Sequence, residues 1–240
     1  MWMICKKEWR QFFSSPTGYI ALIIFLLING LLLFVFPDTS LLDFGYATLD
    51  GFFKLAPWIL LFLIPTITMR SLADEYKAGT FELLKTMPLS AVQIVWGKFS
   101  GALLIVLLAL LPAIIYAISL QQLSVVGGID AGSTTGSYIG LFLLGAVFTA
   151  AGICTSSYTN NTVVAFITGA FICFILYTGF EAVSKLPVFA NGMDYYIEML
   201  GINFHYKSIS KGVIDIRDII YFMGVIIVFL IITQRNVATK

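Results

Sequence analysis

The chain has 240 residues, of which 59% are hydrophobic and 11% charged; 14 lysines and arginines face 13 aspartates and glutamates, for a net charge of +1. Its mean hydropathy is +0.95. A water-soluble domain carries about 25% charged residues. This composition therefore excludes an ordinary soluble globule and points to lipid as the main solvent. The near-zero net charge gives no electrostatic ground for nucleic acid as a partner.

The chain opens with MWMICKKEWRQFFSSP, in which Trp2, Trp9, Phe12 and Phe13 alternate with Lys6, Lys7 and Arg10. Residues 1–16 are expected to form a helix lying in the membrane interface, aromatic side in lipid and basic side toward headgroups. A disordered basic tail is the competing reading. The apolar stretch that follows ends in Leu33-Phe34-Val35-Phe36-Pro37, without the small residues of a signal-peptide cleavage site, so it is read as a retained span.

A membrane-crossing helix needs roughly 20 mostly apolar residues. Six stretches qualify: 19–36, 52–69, 99–120, 137–156, 163–180 and 219–233. The second carries Lys54 near its start and is interrupted by Pro57 and Pro65, of which Pro65 reads as a kink. The expectation is an all-α integral membrane protein over 1–240, one domain with six transmembrane helices. Placing the N-terminus inside puts nine basic and four acidic residues in the cytoplasm, against five basic and nine acidic outside. That is +5 inside and −4 outside, in keeping with the excess of Lys and Arg in cytoplasmic loops. Both termini are thus expected in the cytoplasm.

Chemistry-bearing patterns are sparse. Cys5, Cys154 and Cys173 are scattered and read as packing residues. His205 is the single histidine, which disfavours a His-based metal site. The span cores carry essentially no ionisable residues, against a proton-coupled carrier. There is no HExxH or GxSxG, and Gly97-Lys98-Phe99-Ser100 lacks a phosphate-loop glycine at Val92. The chain is therefore not expected to hydrolyse ATP itself, nor to be an enzyme, and no cofactor is expected on it.

Two segments outside the spans, 70–98 and 181–218, are longer than turns. In the first, Phe81, Leu84 and Met87 recur at helical spacing, with Leu83 adjoining. Glu82 and Lys85 can pair on the wet side. Gly79 before Thr80 marks a break between two short helices, and Pro88 ends the second. An apolar ridge of this kind suits a groove on a partner; a helix resting on the membrane is the alternative. The second segment holds Tyr195, Tyr196, Phe204 and Tyr206 among charges, as expected of short helices at the outer membrane surface.

Among the glycines, Gly128, Gly132, Gly136 and Gly140 recur every four residues, as do Gly97 and Gly101. Small residues at this spacing let membrane helices approach closely. The stretch 128–136 reads better as loop, leaving Gly97, Gly101, Gly136, Gly140 and Gly145 as packing candidates.

The run Arg70, Asp74, Glu75, Gly79-Thr80, Glu82, Leu83-Leu84, Pro88 and Gly97-Lys98 resembles the segment after the second span of type-2 ABC exporter permeases. SSPTGYIALIIFLLING, APWILLFLIPTITMRS and KGVIDIRDIIYF look like the gliding-motility-associated permease subunits (GldF type). The resemblance covers most of the chain. It implies a bacterial inner-membrane complex with a separate ABC ATPase subunit that binds ATP and magnesium. A second permease half, identical or not, is implied as well. The same resemblance makes 70–98 a cytoplasmic coupling helix. Arg70 would stand at the end of the second span, Glu75, Gly79, Thr80 and Glu82 at the contact, and Phe81, Leu83 and Leu84 on the docking ridge. A structural anchor for a motility or secretion machine, without transport, is the alternative function.

Overall fold

The structure is a computed structural model that describes residues 2–35, 48–86, 89–124, 128–187, 192–213 and 215–239. Phe36, Pro37, Met87 and Pro88, which figured in the expectations above, lie outside the described residues. In lipid a backbone must satisfy its own hydrogen bonds, and an apolar run does so by coiling. Every regular element among the described residues is accordingly helical.

Helix α1 (Trp2–Ser14) leads into α2 (Pro16–Phe34), which Pro16 opens at a position where its missing N–H costs nothing. The two are bent by 74°. Helix α3 (Asp50–Thr68) runs through both Pro57 and Pro65. Short helices α4 (Ala73–Lys77) and α5 (Thr80–Thr86) follow. Helix α6 (Ala91–Leu110) continues after Pro112 into α7 (Ile114–Leu123). Helix α8 (Ala131–Tyr158) precedes α9 (Thr162–Phe174), which passes through a π turn (Ile175–Gly179) into α10 (Phe180–Ser184). Helices α11 (Met193–Met199) and α12 (Ile202–Ser210) lie before the last, α13 (Ile216–Thr239).

Among the described residues, five helical segments are long and apolar enough to cross a membrane: Asp50–Lys77, Ala91–Leu123, Ala131–Tyr158, Thr162–Ser184 and Ile216–Thr239. A sixth crossing arises if the bent pair α1 and α2 counts as one span. The chain thus alternates between a near face, which carries α1, α4 and α5, and a far face, which carries α10 to α12.

Helix α8 is the hub. Its most apolar stretch is 83% buried within the chain, α3 follows at 61%, and the other three crossings lie between 22% and 33%. Lipid tails are as apolar as leucine, so helices in a bilayer associate through close packing rather than hydrophobic expulsion. The glycines of α8 provide that approach. A Cβ on Gly145 would sit 2.9 Å from Val106 Cγ1, and one on Gly140 would sit 3.3 Å from Ile209 Cγ2. Gly136 faces the Ile209 carbonyl at 2.8 Å by the same measure, and Gly152 would collide with Thr68 Oγ1. Gly101 on α6 admits α1, its Cβ position lying 2.8 Å from Glu8 Cβ; Gly97 is buried on the same helix.

Two boundaries differ from expectation. Asp130 caps α8 by accepting hydrogen bonds from the N–H groups of Gly132 (3.0 Å) and Ser133 (3.3 Å), so Gly132 is a helical rather than a loop residue, and Gly136, kept as a packing candidate, is buried in the same helix. Helix α6 starts at Ala91, where Ser90 and Gln93 form a reciprocal capping box. Lys98 is therefore about two turns inside a helix, not at the end of a loop.

On the far face the short helices are tied down by polar contacts. Ser133 and Ser137 donate to the Ser210 carbonyl at 3.0 and 3.1 Å, and Tyr206 donates to the Phe53 carbonyl at 2.8 Å. Tyr206 was expected at the membrane boundary; it is buried instead on the inner side of α12, against α3. His205 bridges Asp218 through Nδ1 (2.7 Å) and donates from Nε2 to the Met199 carbonyl (2.9 Å).

Candidate functional site at the near face

The segment after α3 is held from above by one hydroxyl. Ser156 of α8, fully buried, accepts from the N–H groups of Leu72 and Ala73 and donates to the Met69 carbonyl, each at 3.1 Å. It satisfies orphan donors at the start of α4, whose N-cap, Leu72, has no polar side chain to do so. Gly79, with φ of +68°, then breaks the chain between α4 and α5 in a conformation that favours glycine. Thr80 Oγ1 donates back to the Glu75 carbonyl at 3.4 Å.

Below this turn lies a buried ion cluster. The Lys98 ammonium meets Glu8 Oε1 at 2.7 Å and Glu75 Oε1 at 2.9 Å, and donates a third bond to the Ser71 carbonyl. An ammonium has three donors, and all three are used. Lys7 adds a second cation on Glu75 Oε1 at 2.7 Å. Two lysines and two glutamates make the cluster neutral. The Lys98 side chain is 0% exposed, Glu75 6% and Glu8 11%, whereas Lys7 is 47% exposed. Helices α1, α4 and α6 are thereby joined at a point. Next to it, Arg70 Nη1 donates to Ser15 Oγ at 3.5 Å, so the end of α3 also reaches the start of α2.

The structure corrects the expected docking ridge. Phe81 and Leu84 are buried at 5% and 8% exposure, while Leu83 is 63% exposed. Phe81 packs edge-on against Tyr76, ring centroids 4.7 Å apart, and Lys85 lies over the Phe81 ring at 5.5 Å. The apolar spacing of α5 is thus spent on its own chain. The outward surface includes Lys77, Gly79, Thr80, Glu82, Leu83 and Lys85. Between this surface and the α8–α9 turn, Tyr158 to Asn161, lies a polar cleft of about 690 Å³.

Of the residues singled out from sequence, Arg70 and Glu75 belong to the near-face junction, and Gly79, Thr80, Glu82 and Leu83 to its exposed rim. Glu8, Lys7, Lys98 as an ion partner, and Ser156 were missed. One signal was available: Lys98 is a lone cation within an otherwise apolar helical run, Ala91–Leu110, and a buried cation demands an anion.

Multiple apolar crossings around one buried helix, with a short two-helix segment locked onto one face, define a multi-pass membrane protein. More particularly, the chain belongs to the ABC-2 family of transporter proteins, whose model matches residues 2–235. No curated protein shows a significant match to it. Membership makes the chain a transporter permease subunit and implies association with an ABC ATPase. The resemblance to type-2 ABC permeases is thus met at the level of the family, which does not extend to the gliding-associated branch.

Proposed function

We propose that this chain is the non-catalytic membrane half of an ATP-driven exporter. The ATPase docks on the outward surface of α4 and α5. Its ATP-driven closure moves α4, and the movement reaches α1 and α6 through the Lys98 cluster. The observation that carries this reading is the buried contact of Lys98 with both Glu75 and Glu8, at 2.9 and 2.7 Å. A segment that merely rested on the membrane would need no such tie. A ligand or partner shifts a conformational equilibrium only through contacts that differ between states, and a rigid junction is what delivers a displaced α4 to two other helices. ATP and magnesium belong to the partner. A second permease half, identical or different, completes the pathway in a bacterial inner membrane, with the near face and both termini in the cytoplasm and α1 at the interface. The gliding-motility role rests on sequence resemblance alone.

The test follows from the corrected ridge. Aspartate at Phe81 or Leu84 would disrupt folding, so Leu83→Asp with Glu82→Lys is the informative pair. With its ABC ATPase co-expressed, this variant should extract and melt like the parent but lose most co-purifying ATPase. Undiminished co-purification would overturn the docking surface.

A further inference from the structure

The far face carries a cleft of about 820 Å³ between α3, the π turn with α10, and α12. Its floor is aromatic: Phe53, Tyr177 and Tyr206 are each nearly fully buried there. Its rim is basic. Lys54, Lys185, Lys207 and Lys211 line it, against Asp50 and Glu181. Glu181 is already saturated: Lys185 holds Oε1 at 2.7 Å, while Asn203 and Lys207 hold Oε2 at 2.6 and 3.2 Å. Lys54 and Lys211 are exposed and have no partner among the described residues. A net positive rim stands out on this face, since the sequence places −4 on the same side.

Trp58 lines this cleft and also a second, apolar groove of about 540 Å³ between α2 and α3. Along α3, Lys54, Trp58, Phe62 and Thr66 recur every fourth residue and so share one face; Trp58 is 42% exposed and Phe62 58%. At 1.5 Å per residue the stripe from Lys54 to Thr66 is about 18 Å long. One leaflet of the hydrocarbon core is about 15 Å deep. Free cations at the top, an aromatic belt one turn below and an apolar groove of leaflet depth beneath match one kind of molecule.

We infer that the far-face cleft and the α2–α3 groove form a single binding site for an anionic membrane lipid. Its head lies on Lys54 and Lys211, and its acyl chain runs past Trp58 and Phe62. The site needs the membrane embedding of the bundle but not ATPase docking, so each can fail without the other.

Detergent-purified protein, with no ATPase or nucleotide present, is offered equal phosphatidylglycerol and phosphatidylcholine, and bound lipid is counted by native mass spectrometry. A free lysine near a membrane surface favours an anionic lipid by a factor of several, so phosphatidylglycerol should lead by on the order of tenfold. Lys54→Gln with Lys211→Gln should bring the ratio near one, while Lys77→Gln with Lys85→Gln on the near face should leave it unchanged. A measurement that needs no lysine variant uses fluorescence, with Trp2, Trp9 and Trp96 replaced by Phe so that Trp58 alone reports. Brominated phosphatidylglycerol should then quench it more strongly than brominated phosphatidylcholine. Parity in the unmodified protein, equal quenching by the two lipids, or a ratio that moves with the near-face pair instead, would each overturn the assignment.

Discussion

Lys98 joins α1, α4 and α6 through one buried side chain. Taking an ammonium out of water costs several kcal/mol, and here that cost is offset only because three acceptors surround it. Removing the cation leaves Glu8 and Glu75 together in a largely buried site, with the half-exposed Lys7 on Glu75 as the remaining counter-charge. Lys98→Met is therefore expected to destabilise the protein by about 3–5 kcal/mol, seen as a large fall in melting temperature in detergent. Adding Glu8→Gln and Glu75→Gln removes the stranded charges and should recover much of the loss. Lys7, nearly half exposed, pairs in a screened setting, and Lys7→Gln should cost below about 1 kcal/mol. A Lys98→Met protein as stable as its parent would show that the two carboxylates are not held against one another.

At the scale of elements, the sequence and the structure agree where lipid dictates the answer and part where a partner inside the chain does. Long apolar runs at 137–156 and 163–180 were legible because a single continuous apolar segment satisfies its own backbone in hydrocarbon only as a helix. The break at Gly79 was legible because a left-handed turn favours glycine. The inward face of α5 was not. The spacing of Phe81 and Leu84 reveals an apolar stripe but not what covers it, and Tyr76, one turn upstream, supplies part of the cover. Ser156 was equally hidden, since a serine in an apolar helix is unremarkable until the turn beneath it is known. It bonds two N–H groups and a carbonyl of the α3–α4 turn. Ser156→Ala should cost about 1–3 kcal/mol for the stranded backbone groups. More tellingly, it should loosen α4 and α5 locally, because α8 itself is held by glycine packing elsewhere. Limited proteolysis between Lys77 and Lys85 should speed up severalfold while the melting temperature falls only modestly. Unchanged cleavage would show that the segment is secured by other contacts.

For the molecule as a whole, the decisive question is which face meets the cytosol, because ATP is there and the docking surface must be too. The proposed orientation, near face in the cytoplasm, rests on the sequence count of +5 on the near side and −4 on the far side. The structure offers a clean way to measure it. Cys5, Cys154 and Cys173 are all buried, so a membrane-impermeant maleimide should leave the parent protein almost unlabelled. A single new thiol then reports its own side. Lys77 is exposed at the tip of α4, and Tyr196 is 69% exposed on α11. Tyr196→Cys should label in intact cells, and Lys77→Cys only in inverted membrane vesicles. The opposite pattern would put α4 and α5 out of reach of any ATPase. The Lys98 junction would then have to be explained as a fastening of the bundle alone, while the far-face lipid site would simply move to the cytoplasmic leaflet.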